Sequence, residues 1–431
     1  MSSFSAHAFS AAIDTMALRQ HRRYAGEFEM RDIETEASFV AGELSRLVSG
    51  GEYRFAPAEL HHALTDGKVR TLFRSTALDS IVERVIAQFL STSFENFLSP
   101  HVFSYRKGLA PRDALRAFSA FIRSHRQARP TSHTRGLYVL RRDVTSYGES
   151  IRVDSESKLW PLLERALFHA DKSDSRIAIA LLHQLLPREY LGIDGKGARL
   201  LVGTPTGSGI QPTLNNLYLA ELDASLASLG FYARFGDDLL FASEDADIAT
   251  QAGRLIDTHL KSLSLESKVQ KAQNLDFNGA AKPRAAGFTA TDSVDYLGMA
   301  ISFRGTVGVR RDKWRILLRS IRKRMARSLA GSGALSPEAR AQCVSAAVRT
   351  AFDARSALAL SQAADLVDLV DDRSQLREFD NWLCRSAAEL CTHVRGVRAF
   401  RLLPPRELYR LGLPSCVAAR NRRHINAKAG S

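Results

Sequence analysis

The sequence predicts an α+β fold that becomes all helical in its last part. Three observations carry this. Strand-length apolar runs and helix-length runs intermix through the first 300 residues. One stretch, Phe231–Ser243, reads as a β-hairpin, with apolar residues leading into and out of a turn at Gly236. After Arg311 the apolar residues keep helical spacing, broken only at Gly331–Gly333 and Pro404–Pro405. No internal repeat and no low-complexity tract is visible.

Taken in order, residues 1–50 read as helical, with Ala11–Leu18 and Ala37–Val48 as the clearest runs, and are expected to be a packing extension. Tyr53–Arg74 is polar and short-stranded, with Gly67–Arg70 as its turn. Ala77–Leu90 has apolar spacing near 3.6 and predicts a helix. Ser99–Pro100 ends the next helical piece, and Phe103–Gly108 follows as a loop. Gly136–Asp143 is an extended apolar run that hands over to a helix near Tyr147–Ile151. Residues 156–190 read as helix and 192–209 as a glycine-rich connection. Pro212–Asp223 is helical, with proline early, where its missing N–H costs nothing. A helix over 246–263 and strands at Asp295–Phe303 and Thr306–Val309 complete the mixed part. The expected domains are an extension over 1–50, a mixed domain over 51–300 and a helical region over 301–431.

With 431 residues and 45% hydrophobic content, the chain can build one large core or two to three smaller ones. Sixty Lys and Arg against 46 Asp and Glu give a net charge of +14, which favours polyanionic partners. No apolar run is long enough to span a bilayer, and the N-terminus lacks the basic start and apolar core of a secretion signal. Nucleic acid is therefore the expected partner, no membrane is expected, and the expected location is cytoplasmic. Cys343, Cys384, Cys391 and Cys416 form no Cys-x-x-Cys pair, and Cys391, His393 and His424 have the wrong spacing for a zinc finger. Buried reduced thiols are the expectation.

Asp237 and Asp238 sit at the hairpin tip. An Asp-Asp turn alone is ordinary turn chemistry. Asp143, ending the run from Gly136, adds a third carboxylate. If the two strands are neighbours, three carboxylates around a cleft can hold two Mg²⁺ ions for in-line phosphoryl transfer. Further along, Trp314–Arg327 is amphipathic. Trp314, Leu317, Leu318, Ile321 and Met325 form an apolar stripe, and Arg315, Arg319, Arg322, Lys323 and Arg327 a basic one. Arg401, Arg406, Arg410, Arg420, Arg422 and Arg423 add a second basic region, suited to a structured RNA.

The ordered set is Asp143 at a strand end, Gly203-Thr204-Pro205-Thr206-Gly207 before a helix with Asn216, then Phe235-Gly236-Asp237-Asp238. It resembles the palm of reverse transcriptases, and among them the bacterial kind. Lys68, Arg70, the helix from Asp79 to Leu90 and Phe103–Gly108 look like that family's fingers. Leu263–Lys271 looks like its lysine-bearing motif and Tyr296-Leu297-Gly298 like its primer-grip hairpin. The resemblance implies a right-hand polymerase, with fingers and palm followed by a helical thumb.

It also implies roles. Asp143, Asp237 and Asp238 would be catalytic and would hold Mg²⁺ (or Mn²⁺) with the Val144 carbonyl. Lys68 and Arg70 would grip the triphosphate, and Lys271 would protonate pyrophosphate. Tyr147, Gly148, Thr206 and Gly207 would line the nucleotide site, and Arg315, Arg319, Lys323 and Arg327 would follow the template–primer backbone. Partners would be template RNA, DNA product, dNTPs and a structured non-coding RNA, in a stand-alone enzyme of phage defence. Four positions depart from the family. Thr206 replaces a glutamine, Gln211-Pro212 replaces Ser-Pro, and Phe235 replaces tyrosine. Gly148 stands where the family places the Phe or Tyr that blocks a ribose 2′-hydroxyl, so the gate is either open or shifted to Tyr147. Two rival functions are template-independent or protein-primed DNA synthesis, and RNA-binding splicing help without catalysis.

Overall fold

A computed structural model describes residues 2–18, 24–25, 30–65, 68–128, 136–279, 282–353 and 368–421, the side chains of Thr65, Lys68, Arg70 and Ala128 excepted. The chain forms two compact units. Unit 1 is Met1–Ala114, Gly136–Asp276 and Ala285–Thr289; unit 2 is Leu115–Arg135, Phe277–Arg284 and Ala290–Ser431.

Unit 1 opens with α1 (Ala6–Ala17), α2 (Met30–Thr35) and α3 (Ala37–Ser49). Phe4, Phe9 and Ile13 are fully buried, so this extension packs into the main core. Strands β1 (Ala58–Thr65) and β2 (Lys68–Arg74) pair antiparallel along their whole length. Lys68 and Arg70 therefore lie on a strand, which corrects their expected place in the turn. Residues 66–67, which join the strands, are outside the described residues. Helix α4 (Ala77–Phe94) starts at Thr76, whose hydroxyl accepts from the Asp79 amide and satisfies an orphan donor. It buries Ile81, Val82, Val85, Ile86, Phe89 and Leu90. Helix α5 (Pro111–Ala128) belongs mostly to unit 2.

The middle of unit 1 runs β3 (Leu137–Asp143), α6 (Tyr147–Ser150), α7 (Leu159–Ala166), α8 (Lys172–Leu185), β4 (Arg188–Leu191) and β5 (Gly197–Leu200). The single helix expected over 156–190 is thus two helices and a strand. Pro187 causes the break: Leu186, before it, is extended at φ −126° and ψ 100°, as the proline ring demands. Next come α9 (Gln211–Tyr218), α10 (Ala220–Leu229), β6 (Phe231–Phe235), β7 (Asp238–Ser243), α11 (Ala246–Ser262) and β8 (Gln273–Phe277), with β9 (Thr289–Thr291) after them. One sheet has the order β2-β1-β4-β5 and another β6-β7-β3-β8-β9. β5 and β8 were not anticipated: β5 is a short exposed stretch starting at a glycine, and β8 is largely polar, so neither gives an alternating pattern.

In unit 2, β10 (Ser293–Tyr296), β11 (Met299–Ser302) and β12 (Val307–Val309) form an antiparallel meander. Leu297 and Gly298 make its first turn with φ of 46° and 83°. From Arg311 on, the regular structure among the described residues is helical: α12 (Arg311–Ser328), α13 (Pro337–Phe352) and helices Arg373–Thr392, Val397–Leu402 and Pro405–Arg410. The α+β then all-helical order matches the sequence reading. Cys384, Cys391 and Cys416 are buried and free, Cys343 half-buried and free. Burial pushes the Cys391 thiol up to about 11, as befits an inert core thiol. Among the described residues no helix is long and apolar enough to cross a membrane.

Candidate active site

The site begins with register. β3 pairs antiparallel with β7, and Asp143 is the partner of Asp238. β6 pairs with the other edge of β7, with Phe235 opposite Asp238. Only Gly236 and Asp237 remain for the turn. Gly236 takes φ 64° with open space where a side chain would be, so it serves the turn and not a close contact. The Val144 amide then donates to the Asp237 carbonyl at 3.0 Å, stitching the turn to the end of β3. Asp143, Asp237 and Asp238 are therefore brought together, as the sequence predicted.

A buried guanidinium supports this hairpin from beneath. Arg234 on β6 is fully buried and grips Asp223 through two bonds of 2.7 and 2.6 Å. It also donates to the Asn216 carbonyl at 2.9 Å and to the Gly236 carbonyl in the turn at 3.2 Å. The Tyr232 hydroxyl adds a third donor to Asp223. Burial alone would lower the Arg234 pKa, but Asp223 outweighs it and the net shift is upward. The side chain thus stays charged, with nearly every donor matched.

The three aspartates have different surroundings. Asp143 receives hydrogen bonds from Lys268 and from Lys271, the latter at 2.6 Å. Burial pulls its pKa up, but the two lysines overcome this and hold it below the usual carboxylate range. Lys268 also reaches Asp237 at 3.7 Å, so one ammonium stands between two carboxylates. Backbone bonds aim these lysines: the Lys268 amide donates to the Asp143 carbonyl and the Thr145 amide to the Glu266 carbonyl, both at 2.8 Å. Asp238 is mostly buried and pairs with Arg141 at 3.0 Å. Burial pushes its carboxyl up to about 6; Arg141 opposes that rise, and Asp143 and Asp237 add to it.

This donor set suits a hard divalent cation in kind, being all carboxylate and carbonyl oxygen. A positive charge already stands between Asp143 and Asp237, in the form of the Lys268 ammonium. No three His, Cys, Asp or Glu side chains among the described residues converge into a ready ion cage. The oxygen donors are of the right kind for such an ion, and the Lys268 ammonium would have to leave its place between Asp143 and Asp237 for one to bind.

The loop with Thr206 and Gly207 lies against both β2 and α6. The Phe73 amide donates to the Thr206 carbonyl at 2.8 Å, and the Thr204 amide to the Gly148 carbonyl at 2.7 Å. Gly207 takes φ 102°, and a Cβ there would sit 3.2 Å from the Phe73 carbonyl. Gly148 is crowded by polar tips, since a Cβ would lie 2.8 Å from Gln211 Nε2 and 2.9 Å from Asn215 Nδ2. Tyr147 is buried, and its hydroxyl donates to the Asn215 carbonyl. Lys68 and Arg70 are on β2, but their side chains lie outside the described residues.

In unit 2, α12 buries Trp314, Leu317, Ile321 and Met325 and exposes Arg315, Arg319, Arg322, Lys323 and Arg327. None of these five cations forms an ion pair with a described carboxylate. Of the second basic region, Arg410 is paired with Glu407, while Arg422 and Arg423 fall outside the described residues.

Sequence reasoning missed Arg141, Lys268 and the Arg234–Asp223 pair. Two signals could have found the first two. Strand period puts Arg141 on the face of Asp143, diagonal to Asp238. Lys268 precedes Lys271 within one short motif. Nothing local marks Asp223 as the partner of Arg234.

A family model described as reverse transcriptase (RNA-dependent DNA polymerase) matches residues 65–301, more than half of the chain. No curated protein matches the chain. Among similar solved structures, apo telomerase from Candida tropicalis truncated from its C-terminal domain is 10% identical, with TM-score 0.46 over 59% of this chain and 55% of that one. Telomerase from Candida albicans in complex with a TWJ fragment of telomeric RNA is 11% identical, with TM-score 0.45 over 84% and 64%. The chain thus spans little more than half the length of the first of these.

Asp238 gives a pH signature. Its folded pKa is raised from 3.8 to about 6, so the folded state keeps a proton that the unfolded state has released. Its contribution to stability therefore falls as pH rises from 3.8 to about 6. Asp238→Asn removes that loss. Thermal melts of the metal-free protein should show the variant gaining on wild type between pH 4 and pH 7 (roughly the window between the two pKa values); a pH-independent difference would contradict the assignment.

Proposed function

Because the chain belongs to the reverse transcriptase family, a family of nucleotidyltransferases, we propose that it is an RNA-directed DNA polymerase extending a primer 3′ end. The observation that carries this is the pairing of Asp143 with Asp238 across β3 and β7, with Asp237 in the adjoining turn. A finer reading goes with it: the template is an associated structured non-coding RNA, and the enzyme acts in the cytoplasm in antiviral defence. Net charge and the unpaired basic face of α12 support an RNA partner. The defence role rests on the resemblance alone.

In the reaction the primer 3′ oxygen bonds to the α-phosphorus of the nucleotide as the bond to pyrophosphate breaks. Asp143 and Asp237, with the Val144 carbonyl and Asp238, would hold Mg²⁺, or Mn²⁺ in its place. Bound there, such an ion would acidify the primer hydroxyl and offset charge on the leaving phosphates. The chain's own part is orientation. The β3–β7 register fixes Asp143, and Arg234 fixes the turn that carries Asp237. Lys271 Nζ carries the proton for the departing pyrophosphate oxygen. Lys68 and Arg70 hold the triphosphate, Arg70 through its bidentate fork.

Three tests follow. Asp237→Asn should lower primer extension on an RNA template by at least about 1,000-fold while template binding persists. Full activity in the variant would instead favour a helper without catalysis.

Sugar choice is the second. Gly148 presents no side chain to a 2′-hydroxyl, and Tyr147 is turned into the core. Extension with NTPs should reach a kcat/KM within about 100-fold of that with dNTPs. Strict use of dNTPs would place the gate elsewhere.

The third concerns α12. The triple change Arg319→Ala, Lys323→Ala, Arg327→Ala should make the dependence of log K on log salt shallower by about 2 to 3. Anisotropy titrations of a labelled RNA–DNA duplex in rising KCl measure this. An unchanged slope would leave the helix face merely solvated.

A further inference from the structure

Glu83 lies on α4, outside the acidic hairpin, and is 1% exposed. A buried carboxylate needs strong partners, and this one has several. It accepts from Ser75 Oγ at 2.6 Å and from Ser208 Oγ at 2.6 Å, and it pairs with the buried guanidinium of Arg188 on β4. The Arg188 head sits 6.0 Å from the Phe55 ring and 3.8 Å from Asp79.

The partners are not alike in what they hold. Ser75 follows β2, which is already paired with β1 along its length. Arg188 belongs to β4, a strand of the same sheet. Ser208 belongs to the loop carrying Thr206 and Gly207, which lies outside every strand and is bridged at its start by Val202 to Arg152. On the β2 side that loop is held by the bond from the Phe73 amide, on an outer strand of its sheet. It is also held by the Gly203 and Thr204 amides, which donate to the Ile151 and Gly148 carbonyls at 2.7 Å, and by Gln211 Nε2 on Thr206 Oγ1 at 3.2 Å; Ser208 on Glu83 is its side-chain bond to α4.

We infer that Glu83 is a positioning residue: through Ser208 it fixes the Thr206–Gly207 loop against β2, so that two walls of the nucleotide site are held as one piece. The inference rests on the polymerase reading for its effect on nucleotide binding. The tether itself does not depend on that reading. Glu83 touches no reacting atom; it acts by setting where the loop backbone stands.

Changing Glu83 itself would strand Arg188 as a buried charge and endanger folding. The test therefore compares Ser208→Ala with Ser75→Ala. Both remove one bond to the same carboxylate, and only the first loosens the loop from α4. Primer extension on a poly(rA)–oligo(dT) substrate with dTTP should show KM for dTTP rising about tenfold in Ser208→Ala, with kcat within about twofold. Ser75→Ala should keep the wild-type KM. Hydrogen exchange should quicken over residues 203–209 and at the Phe73 amide in Ser208→Ala alone. Equal KM changes in the two variants, or unchanged loop exchange in Ser208→Ala, would overturn the inference. If wild type fails to extend the primer, the polymerase reading falls, and loop exchange still decides the tether.

Discussion

The acidic hairpin stands on one buried ion pair. A turn that carries adjacent aspartates next to a third is under electrostatic strain, and something below it must be rigid. Arg234 and Asp223 supply that rigidity. The pair is fully enclosed, and removing either partner would leave a naked charge in the core, typically a loss of about 3 to 5 kcal/mol. Arg234 also spends donors on the Gly236 carbonyl and on Asn216, while Asn216 grips Ser104 from another segment. The same residue's backbone binds His101 and Phe103. Arg234, through its guanidinium and its backbone, thus ties β6, α9, α10 and the segment after α4 to the Gly236–Asp237 turn.

Above that anchor the charges are balanced locally. Asp143 has its lysines, Asp238 has Arg141, and Asp237 shares Lys268 with Asp143. This division explains how like charges stay close without unfolding the sheet edge. Two of the carboxylates are also set apart chemically. Burial pulls both Asp143 and Asp238 upward; the two lysines more than offset it at Asp143, and Arg141 does not at Asp238.

Much of this was legible in the sequence because it is periodic. The hairpin, the strand ending at Asp143 and the amphipathic helix after the sheets all follow from spacing and from Gly236. The joining of the three aspartates was legible only as a condition, that the strand ending at Asp143 neighbours the hairpin, and the β3–β7 pairing meets it. What stayed hidden is polar and long-range. Arg234 reads as an ordinary strand charge, and Glu83 as a helix charge on a solvated face. Their burial is decided by partners far along the chain, Asp223 and Arg188, and no local pattern announces such pairs. β5 and β8 were missed for a different reason: one is four exposed residues beginning with glycine and the other mostly polar, and neither carries an alternation. Lys68 shows a smaller failure, where a glycine drew the turn too far into the strand.

β2 is the outer strand of its sheet, and an outer strand offers bare backbone groups to any passing chain. At Phe73 that offer is already taken by the Thr206 carbonyl. The loop thereby covers one of the outer strand's backbone donors. Lifting it would return the Phe73 amide to solvent or to a neighbouring strand.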